Sequence, residues 1–365
     1  MPARIPQPRA ASVPVVYSPA HLRHAPTFET NCGEPIAMLE VPRRAEEIRR
    51  ELADDERFTF IDPTSHGDAP IDAVHDRGLR LFLERAWREV VATEPHRRQV
   101  VADTYLNARL REGMGLDVPE PTNVFGALGY WGSDTATPIV EGTYGAAREA
   151  VDVALTAADA VIAGAAVTYA LCRPPGHHAP RAAFAGYCYF NNAAIAVEHL
   201  IAGGSARVTV LDVDYHHGNG TQQIFFERPD VQYVSLHGDP RRAYPYFAGF
   251  ADEIGAGRGR GTTLNLPLPV GCDDDGYRHA MHRACDEIDR FRPDIVVVSL
   301  GVDTFGNDPI GDFALTRESF RTQGAMVAAL DRPVLVVQEG GYDVEALGDN
   351  VHAWLDGVVG ARNKT

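Results

Sequence analysis

The chain has 365 residues, 45% of them hydrophobic and 23% charged, the make-up of an ordinary globular protein with material for a large core. Fifty acidic against 34 basic residues give a formal charge of −16, which repels phosphate backbones, excludes nucleic acid as a direct partner and favours cationic ligands. No apolar run approaches the roughly 20 residues that span a bilayer, and the five cysteines are scattered without any C-x-x-C, so we expect a cytoplasmic chain with reduced thiols, no membrane association and no thiolate metal site.

The proline-rich opening "MPARIPQPRAASVPVV" reads as a loose tail over 1–15, followed by a single domain over 16–365. Helical character is expected near 43–53, 77–94 and 145–163. Segment 107–142, with "NVFGALGYWGSDTATPIVEG" at its heart, is rich in Gly, Pro, Thr and aromatics and reads as a long functional or oligomer-forming loop.

Then come five near-continuous apolar runs, at 166–175, 207–214, 231–237, 294–303 and 332–341. Such runs are strands buried on both faces, as in a parallel sheet. Helical segments at 191–204, 275–291 and 316–330 alternate with them, which predicts a three-layer α/β/α sandwich around a mainly parallel sheet. The glycine-rich stretch 249–269 is expected to be a flexible turn. It lacks the strand-before, helix-after order of a phosphate loop.

Four of the five strands run out into reactive residues: "RPPGHHA", "DVDYHHGNG", "GVDTFGNDP" and "EGGY". Ligands bind beyond the carboxyl ends of strands in open α/β sheets, so these tails are expected to share one cleft. Asp212 and Asp214 are two apart on an extended segment and so point the same way, and His216 continues that side. With Asp303 from a neighbouring strand, these groups suffice for a divalent metal, whose charge removes the cost of packing carboxylates together. His177 and His178 follow two prolines and a glycine, and two adjacent imidazoles can divide acid and base duties if each has its own partner; Asp212 and Asn219 are candidates. Tyr342, after Gly340 and Gly341, is a phenol able to donate to an oxyanion.

"CRPPGHHA", "GYCYFNNAAIA", "VLDVDYHHGNGTQQIFF", "VSLHGDP", "SLGVDTFGNDP" and "EGGY" occur in this order between Cys172 and Tyr342. Together they resemble the zinc-dependent histone deacetylase and acetylpolyamine amidohydrolase family, which has the arginase-deacetylase fold. "HGNG" resembles the class II branch, while "LRHAPTFE" and "YPYFAGFADEIGAGRGRGTT" resemble its acetylpolyamine members. The tandem "GHH" and "GGY" do not fit a two-manganese ureohydrolase of the same fold.

This resemblance implies that Asp214, His216 and Asp303 hold one Zn2+, leaving an open position. It implies that His177 backed by Asp212 and His178 backed by Asn219 are the tandem histidines, with His178 as general base and acid, and that Tyr342 stabilises the oxyanion. Gly186, Tyr187, Tyr244 and Ile310 match the walls of a substrate tunnel. A structural K+ is implied around Asp212, Asp214, His216, Ser235 and Leu236, with a second near Phe225 and Val231. The expected reaction is hydrolysis of a small acetylated polyamine or diamine. Protein acetyl-lysine deacetylation is the first alternative and non-catalytic binding of an acetylated ligand the second. Loop 107–142 resembles the insertion through which acetylpolyamine enzymes form homodimers and narrow the tunnel mouth. It offers Glu112, Asp117, Glu120, Asp134 and Glu141, beside Phe125, Tyr130 and Trp131, for gripping a distal ammonium.

Overall fold

The apolar runs hydrogen-bond side by side because each alternate residue meets a different helical layer, leaving no wet face. The computed structural model describes residues 12–362 except 108, 110–113, 115 and 116. Its strands are β1 (Val13–Val16), β2 (Phe28–Asn31), β3 (Glu34–Ala37), β4 (Phe58–Ile61), β5 (Val167–Ala170), β6 (Val208–Asp212), β7 (Val231–Gly238), β8 (Thr263–Leu268), β9 (Ile295–Leu300) and β10 (Val334–Gln338). Its α-helices are α1 (Arg43–Ala53), α2 (Ala69–Val74), α3 (Arg77–Thr93), α4 (Val124–Trp131), α5 (Thr143–Ile162), α6 (Asn192–Ala202), α7 (Asn219–Phe225), α8 (Asp274–Phe291), α9 (Arg317–Ala328) and α10 (Val344–Arg362).

Eight strands form one sheet in the order β4-β1-β5-β10-β9-β6-β7-β8, and every pairing in it is parallel. Only β2 and β3 stand apart, as an antiparallel hairpin. Val208, Val210, Val297, Leu335 and Val337 pack on one face with α2 to α6, while Leu211, Val296, Val298, Val334 and Val336 pack on the other with α1, α8, α9 and α10. This alternation is the physical content of the three layers.

Helix ends follow local chemistry. The Asp273 carboxylate accepts the Gly276 N–H at 3.0 Å, Asp274 and Asp275 occupy the first turn of α8, and Arg290 lies in its last. Cap and dipole thus agree, a stabilisation of about 1 kcal/mol for the cap alone. On α1 the stripe Ala45, Ile48 and Leu52 is buried against the sheet.

Three expectations need correction. The loose tail expected over 1–15 does not hold for residues 13–15, because Val13–Val16 forms β1, between β4 and β5, with Val15 fully buried; the rest of that expectation, over residues 1–11, lies outside the described residues. Loop 107–142 contains α4, whose Asn123 caps it by accepting the Phe125 N–H at 2.8 Å. The supposed flexible turn 249–269 ends in β8, where Pro267 is tolerated because β8 is an edge strand.

Strand order makes the site. β5, β10, β9 and β6 are consecutive neighbours at the centre of the sheet, and theirs are the four reactive tails. The chain steps from β5 through α6 to β6, leaving a gap that β10 and β9 fill, and at such a switch the connections part to open a crevice.

Candidate active site

The tail of β5 turns through Gly176, whose N–H donates to Glu339 Oε2 at 2.7 Å, while the His177 N–H reaches the same oxygen at 3.1 Å. Glu339 follows β10, so one strand tail pins the next. His177 Nδ1 lies 3.1 Å from Asp212 Oδ2, which also accepts the Tyr233 hydroxyl at 3.0 Å. His178 Nδ1 lies 2.8 Å from Asn219 Oδ1, at the first turn of α7. Both partner choices made from the sequence are therefore met in space, and the two imidazoles pack at 4.0 Å between ring centres.

Their electrostatics differ. Burial works against a charge on His177, but the Asp214 and Asp212 carboxylates outweigh it and push its pKa up to about 10. His178 is lowered well below the ordinary histidine value by burial and by the neighbouring His177 and His216. It is the neutral member of the pair. With Nδ1–H given to Asn219 Oδ1, its Nε2 carries the lone pair.

Asp214, His216 and Asp303 come together with their ligand atoms within 4.8 Å of one another, all buried. His216 Nδ1 is 2.9 Å from Asp303 Oδ2 and 3.4 Å from Asp214 Oδ1. Backbone donors fix each carboxylate: Gly340 N–H to Asp214 Oδ2 at 2.8 Å, His216 N–H to Asp214 Oδ1 at 2.9 Å, and Tyr215 N–H to Asp303 Oδ1 at 2.8 Å. Burial and the adjacent Asp214 push Asp303 up to about 8, whereas Asp214 is held below the ordinary carboxylate range by His177 and His216 despite its burial. Two buried carboxylates forced this close repel unless a cation sits between them. A dication fits this donor set.

Tyr342 is buried, and desolvation keeps its phenol protonated, hence a donor. Its backbone N–H donates to Asp308 Oδ2 at 2.6 Å, and the Arg44 guanidinium lies over its ring at 4.6 Å. Arg44 Nε donates to Gly341 O at 2.6 Å and Nη2 to Glu339 O at 2.7 Å. Behind it Glu40 accepts from Arg44 at 2.9 Å and from Arg173 at 2.7 Å. Desolvation opposes its ionisation, yet Arg173 and Arg44 hold Glu40 down to about 2.

Of these groups, His178, His216, Asn219 and Tyr342 line a cavity of about 860 Å³, together with all four expected wall residues, Gly186, Tyr187, Tyr244 and Ile310. Tyr244 stands edge-on to His178 at 4.9 Å, and Tyr187 packs 5.6 Å from Tyr342. Gly186 has φ +56°, and a Cβ there would sit 2.3 Å from the His178 ring, so only glycine serves.

Among the described residues of loop 107–142, Asp134 is the acid that lines this cavity, and it accepts the Tyr244 hydroxyl at 2.8 Å and the Gly186 N–H at 2.5 Å. Glu120 instead pairs with Arg85 at 2.6 Å and accepts Trp131 Nε1–H, Glu141 is exposed away from the lining, and Glu112 lies outside the described residues. Phe125, Tyr130 and Trp131 belong to α4 and pack on the core, not at the mouth. Asp312 and the buried Glu29 also line the cavity, with Arg242 as a counter-charge. Sequence reasoning missed Glu29, Arg44, Glu40, Asp308 and Glu339. Glu29, Asp308 and Glu339 had a signal, lying inside "LRHAPTFE", "GNDP" and "EGGY"; Arg44 and Glu40 had none.

The histone deacetylase domain pattern matches residues 38–358. The chain belongs to the histone deacetylase family. Within it, acetylpolyamine amidohydrolase 1 of Pseudomonas aeruginosa is 43% identical over 346 residues, covering 95% of this chain and 99% of that one. The acetylpolyamine amidohydrolase of Mycoplana ramosa is 41% identical with the same coverage. The crystal structure of the acetylpolyamine aminohydrolase from Burkholderia pseudomallei superposes with a TM-score of 0.89 at 40% identity, covering 96% of this chain and 99% of that one. By this membership the chain is a hydrolytic deacetylase with the arginase-deacetylase fold, and enzymes of the family depend on a metal. Among the described residues, no helix is long and apolar enough to cross a membrane.

Proposed function

We propose that the protein hydrolyses the amide of a small acetylated polyamine or diamine, releasing acetate and the free amine. The observation that carries this reading is that His178, His216 and Tyr342 line one cavity with acidic walls, with His177 packed on His178 and Asp214 and Asp303 against His216 behind them. The names of its 41–43% identical relatives support the substrate class.

Asp214, His216 and Asp303 would hold Zn2+, which when bound polarises an amide carbonyl and acidifies water. His178, neutral and with its Nε2 lone pair directed by the Asn219 bond, takes the proton from the attacking water and returns it to the leaving nitrogen. His177, held to Asp212, keeps positive charge beside the developing anion. The Tyr342 hydroxyl donates to that oxyanion, and Arg44 and Asp308 hold the turn from which it reaches. Tyr187 and Tyr244 grip an aliphatic chain between aromatic walls, and Glu29, Asp134 and Asp312 favour a cationic far end. Structural K+ is assigned to the oxygens around Asp212, Asp214, His216, Ser235 and Leu236, where β6 and β7 pair in register, and a second to the vicinity of Phe225 and Val231. A homodimer through 107–142 completes the reading, and sedimentation equilibrium tests it.

The deciding experiment measures acetate release by the zinc-loaded protein from N-acetylputrescine, N-acetylcadaverine, acetylspermidine and an acetyl-lysine peptide at equal concentrations, beside a chelator-treated control. Preference for the small amines supports the proposal. Preference for the peptide replaces it with protein deacetylation, and tight binding without release from any of them replaces it with a non-catalytic role.

A further inference from the structure

A second convergence of histidines lies at the opposite end of the strands. Asp159 is one turn before the end of α5, and His199 one turn before the end of α6; these helices lead into the amino ends of β5 and β6, whereas the catalytic tails leave the carboxyl ends. His66, from the connection between β4 and α2, completes the group. His66 Nε2 lies 2.8 Å from Asp159 Oδ2, and His199 Nε2 lies 2.7 Å from Asp159 Oδ1. The two rings meet edge to face at 5.6 Å, and the three ligand atoms are within 4.8 Å of one another.

His66 is engaged on both nitrogens. Its Nδ1 is 3.3 Å from Asp152 Oδ1, which also accepts the His66 backbone N–H at 2.9 Å, so a carboxylate faces each side of one ring. A neutral imidazole has a single N–H and satisfies one of them, leaving a lone pair against the other. A proton or a metal ion on Nε2 satisfies both, but a proton leaves His199 Nε2, on the other oxygen of Asp159, out of the arrangement; with a metal ion Nδ1–H goes to Asp152, and Nε2 joins His199 Nε2 and an Asp159 oxygen as a ligand. A carboxylate on the remote nitrogen is the usual outer support of a metal-bound histidine. Asp152 is already paired with Arg148 at 2.7 Å, which leaves the charge of Asp159 for the metal.

We infer that His66, Asp159 and His199 form a second metal site, for a divalent ion of the zinc, nickel or copper class, separate from the catalytic one. Two imidazoles and one carboxylate select such ions over magnesium or calcium. Ligand atoms on a tetrahedral ion with bonds of about 2.0–2.1 Å are about 3.4 Å apart, so the nitrogen–oxygen contacts of 2.7 and 2.8 Å open by about 0.6–0.7 Å when the ion enters. The Asp159 side chain is 47% exposed, leaving a fourth position to water. Because the three ligands come from a connection and two helices, the ion clamps them together and stabilises the fold without touching the reaction.

The full chain is stripped with EDTA, dialysed against micromolar free Zn2+, and its metal counted per chain. Wild type binds two ions, His199→Gln one, Asp303→Ala one, and the double variant none. His199→Gln retains acetate release, and zinc raises its melting temperature less than that of wild type, while in EDTA the two melt together. Should His199→Gln fail to fold, Asp159→Asn is read in the same way. One ion per wild-type chain, or two retained by both folded variants of the second site, overturns the inference.

Discussion

Replacing Gly340 by alanine tests whether Asp214 and Asp303 serve as a rigid pair. A Cβ built there lies 2.5 Å from Asp214 Oδ2 and 2.6 Å from Asp303 Oδ2, roughly 0.9 Å inside the 3.4 Å where ordinary contact begins. Neither carboxylate can retreat cheaply. Asp214 is tied to the Gly340 and His216 N–H groups and Asp303 to the Tyr215 N–H, all at 2.8–2.9 Å, in the middle of the sheet. The methyl therefore displaces ligand atoms, backbone or both by most of an ångström, and misplacement on that scale costs about 10²-fold in rate. A disturbed ligand set weakens metal affinity by about 10- to 100-fold. Zinc content at fixed free Zn2+ and kcat/KM for the preferred acetylated amine are the readouts. Both should fall together, with melting in EDTA nearly unchanged, since the disturbance is local. Wild-type zinc affinity and wild-type kcat/KM in Gly340→Ala would refute the assignment of this pair as metal ligands.

Tyr342→Phe removes one oxyanion donor and should lower kcat by about 10²- to 10³-fold at full zinc occupancy; unchanged turnover removes the role. Asp303→Ala should lose catalytic metal and acetate release together, and a full catalytic site by metal analysis would strike Asp303 from the ligands. Asp134→Ala frees Tyr244 and Gly186 and should lower kcat/KM about tenfold, the worth of a lost buried hydrogen bond to a charged group; equal kcat/KM would show that the walls hold without it. Glu40→Gln weakens the pairing of two buried guanidiniums and should cost about 3–5 kcal/mol in urea denaturation at pH 7. Because the folded carboxyl is held down to about 2 from an ordinary 4.5, that stability is complete above 4.5 and declines toward about 2, so the gap between wild type and Glu40→Gln should narrow with falling pH. A gap independent of pH would deny Glu40 its charge.

The corrections show where local pattern loses its force. β1 and β4 are four residues each, too short for a periodicity to stand out beside prolines and charges. Helix α4 is short and glycine-containing, so composition spoke for loop while the Asn123 cap and the apolar contacts of Val124, Ala127 and Leu128 with the core decided for helix. Acids in 107–142 looked equivalent in sequence. Tertiary contacts send Glu120 to Arg85 and Asp134 to the tunnel wall.

By itself the sequence determined the strand runs, their reactive tails, and the shared side of Asp212, Asp214 and His216, while the pairing of His177 with Asp212 and of His178 with Asn219 came from the family resemblance. These rest on spacings of one to a few residues, or on motifs several residues long, which chain geometry converts directly into direction. Only the tertiary structure decided that β5, β10, β9 and β6 are neighbours, that Glu339 pins the Gly176 turn 163 residues away, and that Arg44 reaches Gly341 across 297 residues. It alone brought Glu29 into the cavity and joined His66 to Asp159 and His199. Such contacts depend on which strands lie side by side, and that order follows from how apolar faces of whole helices and strands are buried together, which no short spacing encodes.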